Sequence, residues 1–181
     1  MLLRHIQTFI WKYDKYFADV VALIPASLHR YSSRLGRMTL PSIWAIALCV
    51  VNVIILVGGY QNLAILGFIV VACIPIATVM KLLFRRSRPK TIYAQNMKIK
   101  SYSFPSSHAY SATIAGGYLS LVCLALLPHP LGIIVSALLA LFIVTIGLSR
   151  VHVGAHYPTD VTGAWIFGAT VLYFVTQISI P

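Results

Sequence analysis

The sequence predicts an all-α membrane protein: a multi-pass bundle of about five transmembrane helices, preceded by an amphipathic helix at the membrane interface. Of its 181 residues, 59% are hydrophobic and 9% are charged. A soluble domain carries roughly a quarter charged residues, so this chain has too few to cover a soluble surface. Five apolar runs approach the length of about 20 residues that crosses the hydrocarbon core, and they give the number of spans.

The first 37 residues are predicted to form an amphipathic helical segment that lies in the membrane interface. Apolar and aromatic side chains recur there near helical spacing, with basic residues between them; they include Ile6, Phe9, Ile10, Tyr13 and Phe17. Four charges within eight positions argue against a transmembrane helix and against a cleavable signal peptide: Lys12, Asp14, Lys15 and Asp19. A sixth span in this segment is the alternative.

Residues 38–181 are predicted to form the transmembrane domain. Its spans cover approximately residues 40–57, 63–84, 106–127, 131–148 and 159–178. Glycines at 58 and 59 and prolines at 128 and 130 indicate tight turns between spans. A longer basic loop, at 85–103, joins the second and third spans.

The charges are strongly biased towards one predicted face of the membrane. Fourteen Lys and Arg residues stand against three acidic residues. With five spans, the N-terminal segment and the loops after spans two and four share one face, which holds or borders every cation. The hydropathy argues against a nucleic-acid binder, so anionic membrane lipids are the expected partners. The positive-inside rule would place this face in the cytoplasm, although some of these cations also suit a ligand site.

A first candidate cluster lies at the end of the second span, where Lys81 is followed after six residues by Arg88 and Pro89. Basic side chains at helix ends often extend to the membrane surface without any role in chemistry. Taken alone, this cluster therefore leaves both interpretations open.

A second cluster, Phe104-Pro105-Ser106-Ser107-His108, opens the third span. Proline followed by small hydroxyl residues is typical of a helix start. The free N–H groups and the dipole of a helix start attract anions, and a histidine in the first turn would face such an anion. The alternative is an ordinary helix cap with an incidental histidine.

The third cluster extends from Ser149 to Asp160, between two apolar runs. Arg150 is the only Lys or Arg in the last 81 residues, and Asp160 is the only acid after position 19. Ionisable groups at a membrane boundary are costly and therefore indicate function. His156 and Asp160 are four residues apart, so on a helical turn the carboxylate reaches the imidazole. The alternative is a capping Asp beside a structural His.

Together the three clusters predict a site for phosphoryl transfer. Guanidinium groups and helix starts bind phosphate oxygens, and two histidines suit a nucleophile and an acid for the leaving oxygen. Hard divalent cations need several carboxylates, and Asp160 is the one available near this face. We therefore expect a reaction without metal or other cofactor, in which side-chain cations stabilise the transferring group.

In order, the clusters resemble the three signature motifs of the type 2 phosphatidic acid phosphatase family, whose site is similar to that of vanadium haloperoxidases. The motifs here are Lys81-x6-Arg88-Pro89, Pro105-Ser106-Ser107-His108 and Ser149-Arg150-x5-His156-x3-Asp160. The resemblance covers roughly residues 81–160 and the general helix pattern. One departure is Ser107, where the family usually has Gly, which allows a closer backbone approach to an anion.

The resemblance implies a role for each motif residue. His156 attacks phosphorus and becomes a phosphohistidine, Asp160 orients it, and His108 protonates the leaving lipid oxygen. The phosphate oxygens are held by the remaining residues, Lys81, Arg88, Arg150, Ser106 and Ser107. His152 lies outside the motif and is expected to be structural or to support the site.

The expected protein is therefore an integral lipid phosphatase of the cell membrane, without metal. Candidate substrates are phosphatidylglycerol phosphate, undecaprenyl diphosphate, phosphatidic acid and the phosphates of lipid A. The alternatives are a lipid phosphotransferase with the same phosphohistidine and a non-catalytic protein that binds anionic lipid. The membrane face of the site and the oligomeric state are left open.

Overall fold

The computed structural model describes residues 2–97 and 101–178, and over these residues the chain is helical, with no strand. The helices are α1 (Leu2–Ala22), α2 (His29–Met38), α3 (Pro41–Val57), α4 (Gln61–Cys73), α5 (Ile76–Phe84), α6 (Ile92–Gln95), α7 (Ser107–Leu126), α8 (His129–His152) and α9 (Pro158–Thr176). A short 3₁₀ turn, Ala26–Leu28, connects α1 to α2. The predicted all-α bundle is confirmed.

Three helical stretches of the described chain are long and apolar enough to cross a membrane: Gln61–Phe84, Ser107–Leu126 and His129–His152. A fourth is possible if Ala26–Met38 and Pro41–Val57, which meet at a bend of 52°, form one span. The predicted last span corresponds to α9, whose first turn carries polar Thr159 and Asp160. The multi-pass architecture therefore holds, and the count of five spans stays a prediction.

Helix α7 forms the centre of the bundle, because α3, α4, α5, α8 and α9 all pack against it. Small residues allow these close approaches; on α7 the buried ones include Ala109, Ala112, Ala115 and Gly116. By contrast, α8 leaves large apolar side chains exposed, which suits contact with lipid tails; they include Leu131, Ile133, Ile134, Leu138 and Leu141.

A buried polar contact ties α7 to the hairpin formed by α3 and α4. The Tyr118 hydroxyl lies 2.6 Å from Asn52 Oδ1 and 3.0 Å from the carbonyl oxygen of Leu63, and both the Tyr118 and Asn52 side chains are buried. Gly67 faces this pair so closely that a Cβ there would overlap the Asn52 amide and the Tyr118 hydroxyl. The contact therefore fixes how three helices approach one another.

The N-terminal segment packs on the bundle through α1 against α8 and α9, and through α2 against α8. Asp14 and Gly36 are buried, whereas Phe9, Trp11 and Leu23 are exposed. An interfacial position for this segment, and its separation from the transmembrane domain at residue 38, stay predictions. The side chains of residues 1–7 and the loop cations Lys98 and Lys100 lie outside the described residues.

We expect Tyr118→Phe to lower the stability of the bundle by about 1–2 kcal/mol, because the Asn52 amide would lose its buried partner. Thermal unfolding of the protein in detergent measures this loss. The matched control is Tyr173→Phe, at an exposed tyrosine, which should leave the unfolding temperature unchanged. Equal behaviour of the two variants would contradict the structural role of the contact.

Candidate active site

The three predicted clusters meet at one end of the bundle. Lys81 lies on the last turns of α5, Ser106 caps α7, and His108 is on the first turn of α7. Arg150 is on the last turn of α8, and Asp160 is on the first turn of α9. The connection between α8 and α9 carries His156, and the loop after α5 carries Arg88. Helix ends therefore supply nearly every predicted site residue.

His156 and Asp160 form the buried centre of this region. The His156 Nδ1 atom lies 3.4 Å from Asp160 Oδ2, and both side chains are almost fully buried. This separation exceeds a normal hydrogen bond, and Nδ1 has no other partner.

The other ring nitrogen of His156 faces Arg88. Arg88 Nη1 lies 3.2 Å from His156 Nε2 and donates a 2.8 Å hydrogen bond to the Ala155 carbonyl oxygen. A guanidinium can only donate, so the contact assigns the lone pair to Nε2 and the proton to Nδ1, on the side of Asp160. In this tautomer the Nε2 lone pair faces Arg88.

Burial lowers the pKa of His156 to about 4, and the nearby Lys81 and Arg88 charges act in the same direction. Asp160 opposes them. A histidine with so low a pKa carries no charge near pH 7.

Asp160 is held at both carboxylate oxygens. Oδ2 accepts hydrogen bonds from the Ser103 hydroxyl and, at 2.9 Å, from the Tyr157 backbone N–H. Oδ1 accepts a 2.7 Å hydrogen bond from Arg86. The Asp160 carbonyl oxygen also accepts one from the Ser106 N–H, at 3.0 Å, which joins α9 to the start of α7.

The sequence analysis did not identify Arg86, which lies in the basic loop after the second span, or Asp14, one of the charges of the N-terminal segment, as part of the site. Arg86 Nη2 binds Asp14 Oδ2 at 2.6 Å, while Nη1 binds Asp160. Asp14 is one of only three acidic residues in the chain. That rarity in an apolar protein was the available signal, but helical periodicity does not show which distant cation an acid meets.

Lys81 points into the protein and not towards the membrane surface. Its Nζ donates a 2.7 Å hydrogen bond to the Tyr102 carbonyl oxygen and lies 3.4 Å from that of Ser103. The side chain is buried. Lys81 is therefore a buried cation that does not extend to the membrane surface.

Helix α2 covers the side of the site that carries His108 and Arg150. The Gly36 carbonyl oxygen accepts a 3.0 Å hydrogen bond from His108 Nε2, and the Ser32 carbonyl oxygen accepts one from Arg150 Nη2. Arg150 is buried, and its guanidinium fills the space that a Cβ at residue 36 would need. Glycine is therefore required at 36 for this arrangement of Arg150.

The Ser106 hydroxyl caps α7 by facing the Ala109 N–H at 3.5 Å. Because the Ser106 N–H donates to Asp160, it is not available to an anion in this arrangement. Ser107 is the first residue of the helix, and its carbonyl oxygen accepts from the Ser111 hydroxyl. Thus Ser106 contributes to the architecture of the site, and Ser107 stands at the helix start.

A cavity of about 940 Å³ adjoins the site on the side of His108 and Arg150. Arg37, His29, Tyr93 and other residues of α2, α6 and α8 line it. His152, which lay outside the motif, also borders this cavity and is 2.9 Å from the Ser32 hydroxyl through Nδ1. No carboxylate is among its lining residues in the described part of the chain.

Comparisons with known proteins identify the family and the fold. A sequence model of the PAP2 superfamily matches residues 62–180. The fold is similar to that of a transmembrane PAP2-type phosphatidylglycerolphosphate phosphatase from Bacillus subtilis, with a TM-score of 0.77 and 20% sequence identity. That match covers 93% of this chain and 85% of the other. The chain belongs to the PAP2 superfamily, the type 2 phosphatidic acid phosphatases, as its three motifs predicted.

Proposed function

We propose that this protein is a lipid phosphatase that works through a phosphohistidine at His156, without a metal ion. The observation that carries the proposal is the buried His156 ring, whose Nε2 faces Arg88 and whose Nδ1 faces the buried Asp160. In the described residues, no three His, Cys, Asp or Glu side chains are grouped to hold a metal. Independence of metal stays a prediction for experiment.

In the first step, His156 Nε2 attacks the phosphorus atom, forming an N–P bond as the bond from phosphorus to the lipid oxygen breaks. Positive charge develops on the imidazole, and the adjacent Asp160 carboxylate stabilises it. The phosphate oxygens would replace His156 Nε2 and backbone carbonyls as partners of Lys81, Arg88 and Arg150. Charge-assisted bonds of this kind are stronger than those to neutral carbonyls.

His108 is proposed to donate a proton in the first step and to accept one in the second. Its Nε2 proton is held by the Gly36 carbonyl oxygen. A second proton, on Nδ1, would make the imidazolium that protonates the leaving lipid oxygen. The neutral ring then takes a proton from water as the water attacks phosphorus, which breaks the N–P bond and releases inorganic phosphate. A lipid acceptor in place of water would give the phosphotransferase.

The start of α7 is proposed to add backbone donors. First-turn N–H groups have no partner within the helix, and Ser106 already donates to Asp160. This leaves Ser107 and His108 as the amides for the phosphate. A Ser107 side chain does not remove its N–H, so replacement of the family Gly is compatible with this role.

Among the candidate lipids, the cavity favours substrates whose leaving group carries a second phosphate. The cavity lies beside His108, which would protonate the leaving group, and its lining includes the guanidinium groups of Arg37 and Arg150. A cationic lining without carboxylates suits an anionic leaving group. Undecaprenyl diphosphate and phosphatidylglycerol phosphate fit this description better than phosphatidic acid. The similar Bacillus subtilis protein is named for the second of these.

We expect His156→Ala to reduce phosphate release by on the order of 1,000-fold or more, because the covalent intermediate cannot form. Purified protein in detergent is assayed with a panel of lipid phosphates and a chelator. His129→Ala, at the opposite end of α8, is the histidine control. Activity retained by His156→Ala would refute the nucleophile, and loss of wild-type activity to the chelator would refute independence of metal.

We expect Gly36→Ala to reduce phosphate release by about 10- to 100-fold with little change in unfolding temperature. The new methyl group would displace the Arg150 guanidinium, a flexible group, and not the backbone. Loss of one phosphate-binding cation is costly to the transition state. Gly58→Ala, where the nearest atoms would lie at 3.4 Å, is the control. Full activity in Gly36→Ala would show that the Arg150 position is not needed.

The pKa of about 4 for His156 predicts that its ring stays neutral down to about pH 5. An NMR titration of isotope-labelled histidine in detergent tests this, with His156→Asn to assign the signal. Protonation should begin only as the pH falls below 5, since burial depresses the pKa. Titration of His156 between pH 6 and 7 would contradict the buried, neutral nucleophile.

A further inference from the structure

Arg86 lies in the spacer of the first motif, and its contacts with Asp14 and Asp160 are not specified by the three motifs. We propose that Arg86 and Asp14 are positioning residues for the reaction. In this arrangement Arg86 fixes the direction of the Asp160 carboxylate, and Asp14 balances the Arg86 charge so that Asp160 acts on His156 as a full anion. The inference rests on the proposed role of His156 as nucleophile.

The first argument is geometric. Rotation about the last side-chain bond of an Asp exchanges the directions of its two oxygens, so one fixed oxygen determines the other. Arg86 holds Oδ1 of Asp160 at 2.7 Å, and Oδ2 then faces His156 Nδ1. Charge-assisted bonds of this length are strong and directional. Ser103 and the Tyr157 N–H hold Oδ2 itself, so Arg86 adds the constraint at Oδ1 to a contact with His156 that it does not itself make.

The second argument concerns charge. An Asp160–Arg86 pair alone would be electrically neutral, and would do little for the positive charge that develops on His156 during attack. Asp14 Oδ2, at 2.6 Å from Arg86 Nη2, adds a second carboxylate. The row Asp14–Arg86–Asp160 then carries a net charge of about −1, on a largely buried path where electrostatic effects are weakly screened.

The third argument is that Asp14 is itself held firmly. Its Oδ1 accepts 2.8 Å hydrogen bonds from both the backbone N–H and the hydroxyl of Thr159, on the first turn of α9. Arg86 also donates to the Thr159 hydroxyl at 2.6 Å, and its guanidinium lies 4.2 Å from the Tyr157 ring centre. Asp14 thus joins α1 to the turn that carries Asp160.

The test separates this electrostatic role from a simple attachment of α1. Asp14→Asn, Arg86→Gln and the double variant are purified, and kcat and KM are measured on a lipid phosphate that the wild type hydrolyses. We expect Asp14→Asn to lower kcat about tenfold with KM within about twofold, since the phosphate-binding groups are untouched. Arg86→Gln should lower kcat by at least as much, because Oδ1 of Asp160 would lose the group that fixes its direction.

The double variant is decisive because it removes both charges and returns the net charge near Asp160 to −1. Its kcat should be no lower than that of Arg86→Gln alone, so the two losses do not multiply. Asp14→Glu, which keeps the charge, should retain kcat within about threefold and serves if Asp14→Asn does not fold. Tyr13→Phe, which breaks the 3.1 Å contact between α1 and Thr162 without a charge change, should leave kcat unaltered.

Two results would overturn the inference: a wild-type kcat in Asp14→Asn, or losses that multiply in the double variant. Activity in His156→Ala, measured in parallel, would instead remove the proposed function itself. If His156→Ala is inactive and Asp14→Asn is normal, the proposed function stands and the positioning role fails. The two failures are therefore distinguishable.

Discussion

The arrangement of the site depends on one buried carboxylate. Asp160 is fully buried in an apolar bundle, and a buried charge is stable only when paired and hydrogen-bonded. Its carboxylate accepts from Arg86, Ser103 and the Tyr157 backbone, and its carbonyl oxygen accepts from Ser106. Satisfying Asp160 therefore brings together the loop after α5, the start of α7 and the turn before α9, which is the region where His156 lies.

The cations near Asp160 are stabilised by neutral acceptors, whereas Asp160 itself is paired with a charge. Lys81, Arg88 and Arg150 bind mainly backbone carbonyl oxygens, which satisfy donors without neutralising charge. The same region therefore combines satisfied hydrogen bonds with uncompensated positive charge. Such a state favours an anionic ligand, because a phosphate supplies both acceptors and the missing negative charge.

The N-terminal helices extend the site beyond the region that the family match covers, residues 62–180. Helix α1 provides Asp14, and α2 provides the carbonyl oxygens of Ser32 and Gly36. These contacts place polar groups of the first 37 residues against His108 of the second motif, Arg150 of the third, and Arg86 in the spacer of the first. The exposed aromatic side chains of α1, such as Phe9 and Trp11, face away from the core.

The sequence by itself determined the fold class, the family and the identity of the motif residues. The composition excludes a soluble surface and therefore indicates a membrane bundle. His156 and Asp160 are four residues apart, so the sequence alone predicts that they can meet on a helical turn. Only the tertiary structure decided the partners of Arg86 and Lys81, and the closeness of Gly36 to Arg150. Snorkelling and buried cations give the same sequence pattern at a helix end. Contacts across more than 70 residues, such as Asp14 with Arg86, depend on helix packing that periodicity does not encode.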